Sequence, residues 1–461
     1  MKFTVLTLFP EFVENALNTS ILGKAGQKGL LSFNVVNIRD FSADKNKRVD
    51  DYTYGGGAGM LMQAQPVYDA YLSCISGNDG KEKPRTIYVS PKGKPFTQTD
   101  AVSFSSEEEI VLVCGHYEGI DERALEKIGA ENYSIGDYVL TGGELPALVM
   151  IDAIARLCPG VLGNDESSEI ESFHNDLLEY PQYTRPEVWE GIRVPEVLLT
   201  GDPKQVNAWR LEKSKEITAK VRPDLYDKYE KRCTVLDKLL KDKRNNIQMI
   251  EQLRRGIGEI ISEEPLIIVN NMDRVALAGQ EADISADDLI SILPDHIEQV
   301  VVTEELAGKL LTDERFELSC SIINCVYTEK VHRKISNKDI RPLGIDSLDY
   351  VEGHYDLGGK GYARSRIEAG EVFGIYDNGV LAGFIGRHGE GSIGLLYVDE
   401  AFRGKGYAQD LESFMFNKAL EKGETPYGQV KIENDISFSL QEKIGVYVGN
   451  KVFCWLNIKK T

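Results

Sequence analysis

The chain has 461 residues, 42% of them apolar and 27% charged, with a formal net charge of −20 at pH 7. One hydrophobic core does not serve that length, so two or three domains are expected, and the composition is that of a soluble globular protein without low-complexity tracts. The charge excludes bulk attraction to nucleic acid, leaving RNA to be met by local basic patches.

Residues 1–245 hold 30 Lys/Arg against 38 Asp/Glu, a balance of −8, which leaves −12 for the remainder. Two basic stretches stand out, "DKNKR" at 44–48 and "YEKR…DKLLKDKR" at 229–244. Charge runs of this kind are more often solvated helix faces than binding sites. No apolar run reaches the ~18 residues of a membrane span. The longest, "LPALVMIDAIARL", is broken by Asp152 and Arg156. The N-terminal "MKFTVLTLF" stops at Pro10 and Glu11 with no cleavage-like site, so a cytoplasmic protein is expected. Seven scattered cysteines without a C-x-x-C indicate neither a zinc site nor a disulfide framework.

Taken in chain order, "KFTVLTLF" and "LSFNVVNI" read as strands around the helical "PEFVENALNTSILGKAG". Three more strands follow, "TIYVS" (86–90), "EEIVLVCG" (108–115) and "ENYSIGDYVL" (131–140), then the helical "LPALVMIDAIARL". Alternating strands and helices predict an α/β domain with a parallel sheet and a site at the strand C-termini. There the chain supplies "SPKGK", "GHYEG" and "TGGE", three turns able to form one cradle. Residues 161–245 change to loop and then polar helix, with Asp202 and Pro203 as cap and first residue of one helix. From about 246 strands return: "EPLIIVNN…VALAG", "EQVVVT" and "CSIINCVYT", with "ISADDLISIL" as a capped helix. A unit from about 331 carries "EVFGIYDNGVLAGFIGR", a hairpin turning at Asn-Gly.

Four motifs carry a family resemblance: "VDDYTYGGGAGMLMQAQP" (49–66), "CGHYEGIDER" (114–123), "SIGDYVLTGGELPA" (134–147) and "SFHNDLLEYPQYTRPEVWEG" (172–191). From residue 1 to about 225 the chain resembles the bacterial tRNA (guanine-37 N1) methyltransferases. The resemblance implies a trefoil-knotted fold, a homodimer with interfacial sites, tRNA as substrate, S-adenosylmethionine as methyl donor, and use of magnesium. It assigns the donor to three loops: Tyr88, Val89, Ser90 and Pro91; Gly115, Tyr117, Glu118 and Gly119; Ser134, Ile135, Gly136, Tyr138, Val139, Leu140, Gly142 and Gly143. Glycine suits these places because it admits close backbone approach. Glu118 and Glu179 match positions near the ammonium of the ligand's methionine end. Asp50, Tyr54 and Gly59 match the region that grips the target base, and RNA loops are usually read as splayed-out bases.

Transfer to guanine N1 needs a base for its proton and a cation for charge developing at O6. Arg156 matches the family arginine. The family base is an Asp directly before "SF"; here that position is Glu171, with Asp176 as a nearby alternative. Glu171 keeps a carboxylate and adds about 1–1.5 Å of reach, and a ~1 Å misplacement can cost ~10²-fold.

The C-terminal "LLYVDEAFRGKGYAQDL" (395–411) and "VKIENDISFSLQEKIGVYVG" (430–449) resemble the GNAT acyltransferases. The resemblance places acetyl-CoA against Val398, Arg403, Gly404, Gly406 and Ala408, with Asn434 beside it and Tyr447 as a possible acid for the thiolate. The domains expected are therefore a knotted methyltransferase (1–160), an active-site loop with a helical tRNA-binding part (161–245), a degenerate GNAT-like half (246–330) and a mixed α+β GNAT domain (331–461). Two alternatives stand beside a bifunctional enzyme: a non-catalytic tRNA- or S-adenosylmethionine-binding front, and a chain whose main activity is acyl transfer.

Overall fold

The computed structural model of the chain describes residues 1–56, 59–75, 83–105, 107–162, 173–270, 275–279, 284–336, 339–355 and 361–459. Two compact units emerge, Met1–Ile170 and Glu171–Thr461.

The first unit begins β1 (Lys2–Thr7), α1 (Pro10–Leu17), α2 (Ser20–Gln27) and β2 (Ser32–Asn37), followed by a small hairpin, β3 (Asp50–Tyr52) with β4 (Met60–Met62). It continues α3 (Ala64–Ile75), β5 (Arg85–Pro95), α4 (Gln98–Phe104), β6 (Glu109–Cys114), α5 (Glu122–Ile128), β7 (Glu131–Ser134) and α6 (Glu144–Ala155). Five strands form one parallel sheet in the order β2-β1-β6-β5-β7. The run "IVLVC" in β6 is buried throughout, as a strand covered on both faces must be. Alternation sorts its side chains. Ile110, Leu112 and Cys114 join a core with α1, α2, α4 and α6, whereas Val111 and Val113 join α3 and α5. The sequence pattern predicts a strand through residue 140; β7 instead ends at Ser134. Gly136 then takes φ +142°, and Tyr138, Val139 and Leu140 are exposed rather than alternating in a sheet.

The second unit holds a short hairpin, β8 (Val188–Trp189) with β9 (Ile192–Arg193), then helices α7 (Pro203–Val221), α8 (Pro223–Leu240) and α9 (Ile247–Arg254). Asp202 caps α7 as expected, accepting from the Lys204 amide at 2.9 Å. Next come β10 (Glu259–Ser262), β11 (Ile267–Asn270), β12 (Val275–Gly279), α10 (Ala286–Ile292), β13 (Gln299–Thr303), α11 (Glu304–Leu310) and β14 (Phe316–Val326). The last stretch is β15 (Ile340–Pro342), α12 (Leu348–Glu352), α13 (Tyr362–Glu368), β16 (Val372–Asp377), β17 (Val380–Arg387), β18 (Ile393–Val398), α14 (Tyr407–Glu421), β19 (Tyr427–Lys431), α15 (Asp435–Lys443) and β20 (Tyr447–Ile458). The Asn-Gly turn is present: Asn378 and Gly379 both have positive φ between antiparallel β16 and β17.

These strands make one eleven-stranded mixed sheet, β10-β11-β12-β13-β20-β14-β19-β18-β17-β16-β15. β14 lies between β19 and β20, antiparallel to both. Helix α8 packs Val235 and Leu239 with α9 and the sheet, so the polar helices and the sheet share a core. Residues 247–253 of α9 are all buried, polar ones included. Gln248 donates to Asn324 at 2.7 Å, and Glu251 accepts from Arg254 and from the Thr425 amide.

On α14, Glu412 is buried and accepts from Gln441 at 2.9 Å; burial pushes its carboxyl up to about 7, against the lowering effect of that hydrogen bond. A carboxyl that holds its proton more tightly when folded favours folding fully below its unfolded pKa, and loses that contribution as pH rises to about 7. The second unit should therefore lose up to roughly 3 kcal/mol from this group between about pH 4 and 8. Urea unfolding of native chain and Glu412→Gln across that range should show the fall in the native chain and a flatter profile in the variant.

Candidate active site

The turns after β6 and β7 converge on the middle of β5, because those strands are neighbours in the sheet; the turn expected at "SPKGK" is instead an irregular stretch inside β5, whose pairing with β7 breaks between Val89 and Lys94. Together these segments enclose a cavity of about 320 Å³, within the size range of small-ligand sites. All sixteen residues that the resemblance assigned to the three donor loops line it, from Tyr88 to Gly143.

Glycine is required at specific points of this wall. A Cβ on Gly143 would stand 2.8 Å from the Cys114 Cα and 2.9 Å from the Gly115 nitrogen, both backbone atoms that cannot swing aside. Without it, the Gly143 amide reaches the Gly115 carbonyl at 2.9 Å and α6 starts against the end of β6. A Cβ on Gly115 would meet the Tyr88 hydroxyl at 2.8 Å. Tyr88 is itself buried, which raises its phenol pKa, and its ring forms the floor between two loops. Just inside α6, buried Glu144 accepts from Thr7 of β1 at 2.8 Å and ties the helix start to the sheet.

The hairpin of β3 and β4 is stitched to the second loop. Met60 and Met62 exchange backbone hydrogen bonds with Glu118, Gly119 and Asp121. Gly59, at φ +96°, packs where a Cβ would strike the Glu118 carboxylate at 2.4 Å. The structure thus brings two of the expected base-gripping residues, Asp50 and Gly59, onto a hairpin fixed to the cavity rim; Tyr54, 98% exposed, sits at its tip.

Arg156, Asp176 and Glu179 are not among the described residues that line the cavity. Arg156 caps the C-terminal end of α6, whereas the cavity is at its start. At about 1.5 Å per residue that is roughly 18 Å away. Glu171 and the acidic stretch before it lie outside the described residues. Asp176 is bound to Arg232 at 2.6 Å, with both side chains mostly buried, and Arg232 also donates to the Leu253 carbonyl at 3.1 Å. An anchored carboxylate of that kind is poorly placed to act as a free base. Glu179, in the second unit, accepts from Gln182.

Several lining residues were missed in the sequence, notably Lys92, His116, Glu122 and Thr141. His116 packs edge-on against Phe9 and Tyr117, and its buried Nδ1 has no hydrogen-bond partner among the described residues. It sits inside "GHYEG", but only the fold shows on which side of the loop its ring falls.

In the second unit, β18 and β19 are parallel but pair only at Ile393 and Gly428, and diverge beyond. Val398 ends β18, and Arg403 turns back to its carbonyl at 3.2 Å. Gly404 and Gly406 take φ +79° and +89°, and Gly406 caps α14, which carries Ala408 in its first turn. Lys405, between them, is held by Asp377 at 2.9 Å. Asn434 caps α15, and Tyr447 opens β20 with the Arg244 guanidinium 3.8 Å over its ring.

Residues 1–228 match the family described as tRNA (Guanine-1)-methyltransferase TrmD, and residues 372–456 match the FR47-like protein family. A tRNA (guanine-N(1)-)-methyltransferase of Lachnospira eligens is 57% identical over 232 residues, 50% of this chain and 98% of that protein. That of Clostridioides difficile is 54% identical over 228 residues, again 50% of this chain and 98% of the relative. The Lachnoclostridium phytofermentans protein is 48% identical over 280 residues, 56% of this chain and 98% of its own length. With nearly the whole of these relatives matched over about half of its length, the chain belongs to the tRNA (guanine-N1)-methyltransferase family.

Proposed function

We propose that the chain methylates N1 of guanosine 37 in tRNA from S-adenosylmethionine, and that its C-terminal part is an acyl-CoA-dependent N-acyltransferase. The observation that carries the first part is the glycine-walled cavity, lined by every residue of the three loops that the resemblance assigned to the donor. The residues fit that ligand: glycines let the loops pack into one wall where a Cβ would strike Cys114, Gly115 or Tyr88, and Glu118 lines the wall as a carboxylate for an ammonium. S-adenosylmethionine supplies, when bound, an electrophilic methyl group on a sulfonium.

The chain's own residues divide the remaining work. Guanine N1 carries its proton at neutral pH, so a base must take it as the methyl is transferred. Glu171 is that base in this account, one methylene longer than the family aspartate. Arg156 hydrogen-bonds O6 as charge grows there, which a fixed guanidinium does without reorganisation. The β3–β4 hairpin holds the splayed base at the rim through Asp50 and Tyr54.

Arg156 stands at the wrong end of its helix for the cavity of its own chain. This supports a homodimer in which each cavity is completed by the partner copy. Leu145 and Val149, one turn apart on α6 and half-exposed, supply an apolar face for it, beside exposed Val139 and Leu140. The trefoil-knotted chain path of the family is carried over with this assignment, as is the family's use of magnesium, which the acidity of the loop 167–187 would serve.

For the second activity, β18 and β19 pair only at Ile393 and Gly428, and Gly404 and Gly406, both at positive φ, lead into α14. Successive amides at such a helix start suit the pyrophosphate of acetyl-CoA, with Arg403 beside it.

Methyl transfer to tRNA bearing guanosine 37 should persist in Glu171→Asp and fall at least ~10²-fold in Glu171→Gln, with S-adenosylmethionine binding retained. Equal rates for native and Gln forms would remove Glu171 from the chemistry. Arg403→Glu should weaken acetyl-CoA binding by about tenfold or more in calorimetry. An unchanged affinity would place the cofactor elsewhere.

A further inference from the structure

A second cavity, of about 230 Å³, lies in the second unit where the end of α8 and the turn leading into α9 meet the end of β13 and the middle of β20. Its wall holds three lysines, Lys238, Lys241 and Lys451, and one acid, Asp242, together with Asn245, Asn246, Thr303 and Phe453. Lys241 has no ion pair among the described residues. Lys238 is shared with Glu263 and Glu264, and Lys451 lies 3.8 Å from Asp242. The Asp242 charge is further met by the Asn245 side-chain amide, 3.0 Å from each carboxylate oxygen.

Two polar atoms in this wall are buried and have no hydrogen-bond partner among the described residues: the Thr303 hydroxyl and the Asn245 Oδ1. Their residues are 8% and 7% exposed. Buried polar atoms ordinarily find partners, and orphans beside a cavity point to a ligand or ordered water. The Asn245 amide cannot be turned around, because its Nδ2 donates to both Asp242 and Asn450. Oδ1 therefore waits for a donor, while the Thr303 hydroxyl and three ammoniums can donate to an anion.

The cavity wall takes Thr303 from the C-terminal end of β13, where it pairs with Phe453 of antiparallel β20. β12 and β13 are parallel, joined through α10, and paired from Val275–Gln299 to Leu277–Val301. Their last two residues each, ending at Gly279 and Thr303, have no partners in that ladder. This is the same arrangement as β18, α14 and β19, where the parallel pair also opens at its C-terminal end. Ligands of open α/β sheets bind outside the carboxyl ends of parallel strands. Here the basic run 229–244, which the methyltransferase chemistry leaves unused, provides Lys238 and Lys241.

We propose that this cavity binds the phosphoryl group of a small phosphate monoester that also carries a hydroxyl. Lys241 and Lys451 meet the charge, Thr303 donates to a phosphate oxygen, and Asn245 Oδ1 accepts from the neighbouring hydroxyl.

Calorimetric titration of the full chain with inorganic phosphate, ribose 5-phosphate and ribose, at constant ionic strength, tests this. Saturable binding of phosphate and ribose 5-phosphate is expected, with Lys241→Glu weakening both by about tenfold or more. Thr303→Val, nearly isosteric, should weaken both several-fold while its melting temperature without ligand stays within a few degrees of native. No saturable heat from either phosphate probe, affinities unmoved in both variants, or ribose binding as tightly as ribose 5-phosphate would overturn the proposal.

Discussion

The first unit is organised by one backbone-to-backbone contact, Gly143 against Cys114 and Gly115. Because no Cβ intervenes, the start of α6 abuts the end of β6, and Glu144 can be buried on the Thr7 hydroxyl. That join fixes the third loop opposite the second. Tyr88 closes the floor under Gly115 in the same way, through a contact that any larger residue would prevent. The cavity is thus a consequence of where side chains are missing, and its rigidity comes from the parallel sheet below it.

Much of this was legible in the sequence. Strand–turn signals located β5 and β6 and the turn after β6, and the Asn-Gly hairpin of β16 and β17 followed from its dipeptide; the turn expected at "SPKGK" is part of β5, which runs on to Pro95. What escaped has physical causes. "ENYSIGDYVL" has the β-rich composition of a strand, but Gly136 takes a backbone conformation closed to other residues and the chain leaves the sheet at Ser134. The placement of β14 between β19 and β20 depends on pairing across more than a hundred residues, which no local pattern encodes. Helix α9 carries no sequence signal for its buried polar residues, whose partners come from distant segments: Gln248 donates to Asn324, and Glu251 accepts from the Thr425 amide. The position of Arg156 at the far end of α6 also follows from helix length rather than from any motif.

The net charge of −20 and an RNA substrate are reconciled locally. Tyr52 and Tyr54 on the exposed hairpin offer stacking surfaces, which act over short range and do not depend on the field of the whole molecule. The helices α7 and α8 belong to the same compact unit as the eleven-stranded sheet, and α8 shares its core through Val235 and Leu239. Segments that the sequence divides by composition are therefore joined in packing.

The central claim is that each methyl-transfer site combines the glycine-walled cavity of one copy with Arg156 of another. Two inactive forms, Arg156→Ala and Gly143→Val, should be co-produced with different tags and assayed together for methyl transfer to tRNA. If the sites are shared, half of the randomly mixed dimers carry one intact site, and activity returns to about a quarter of native. A mixture no more active than the sum of the separate variants would show that Arg156 serves the cavity of its own chain, and would contradict the account.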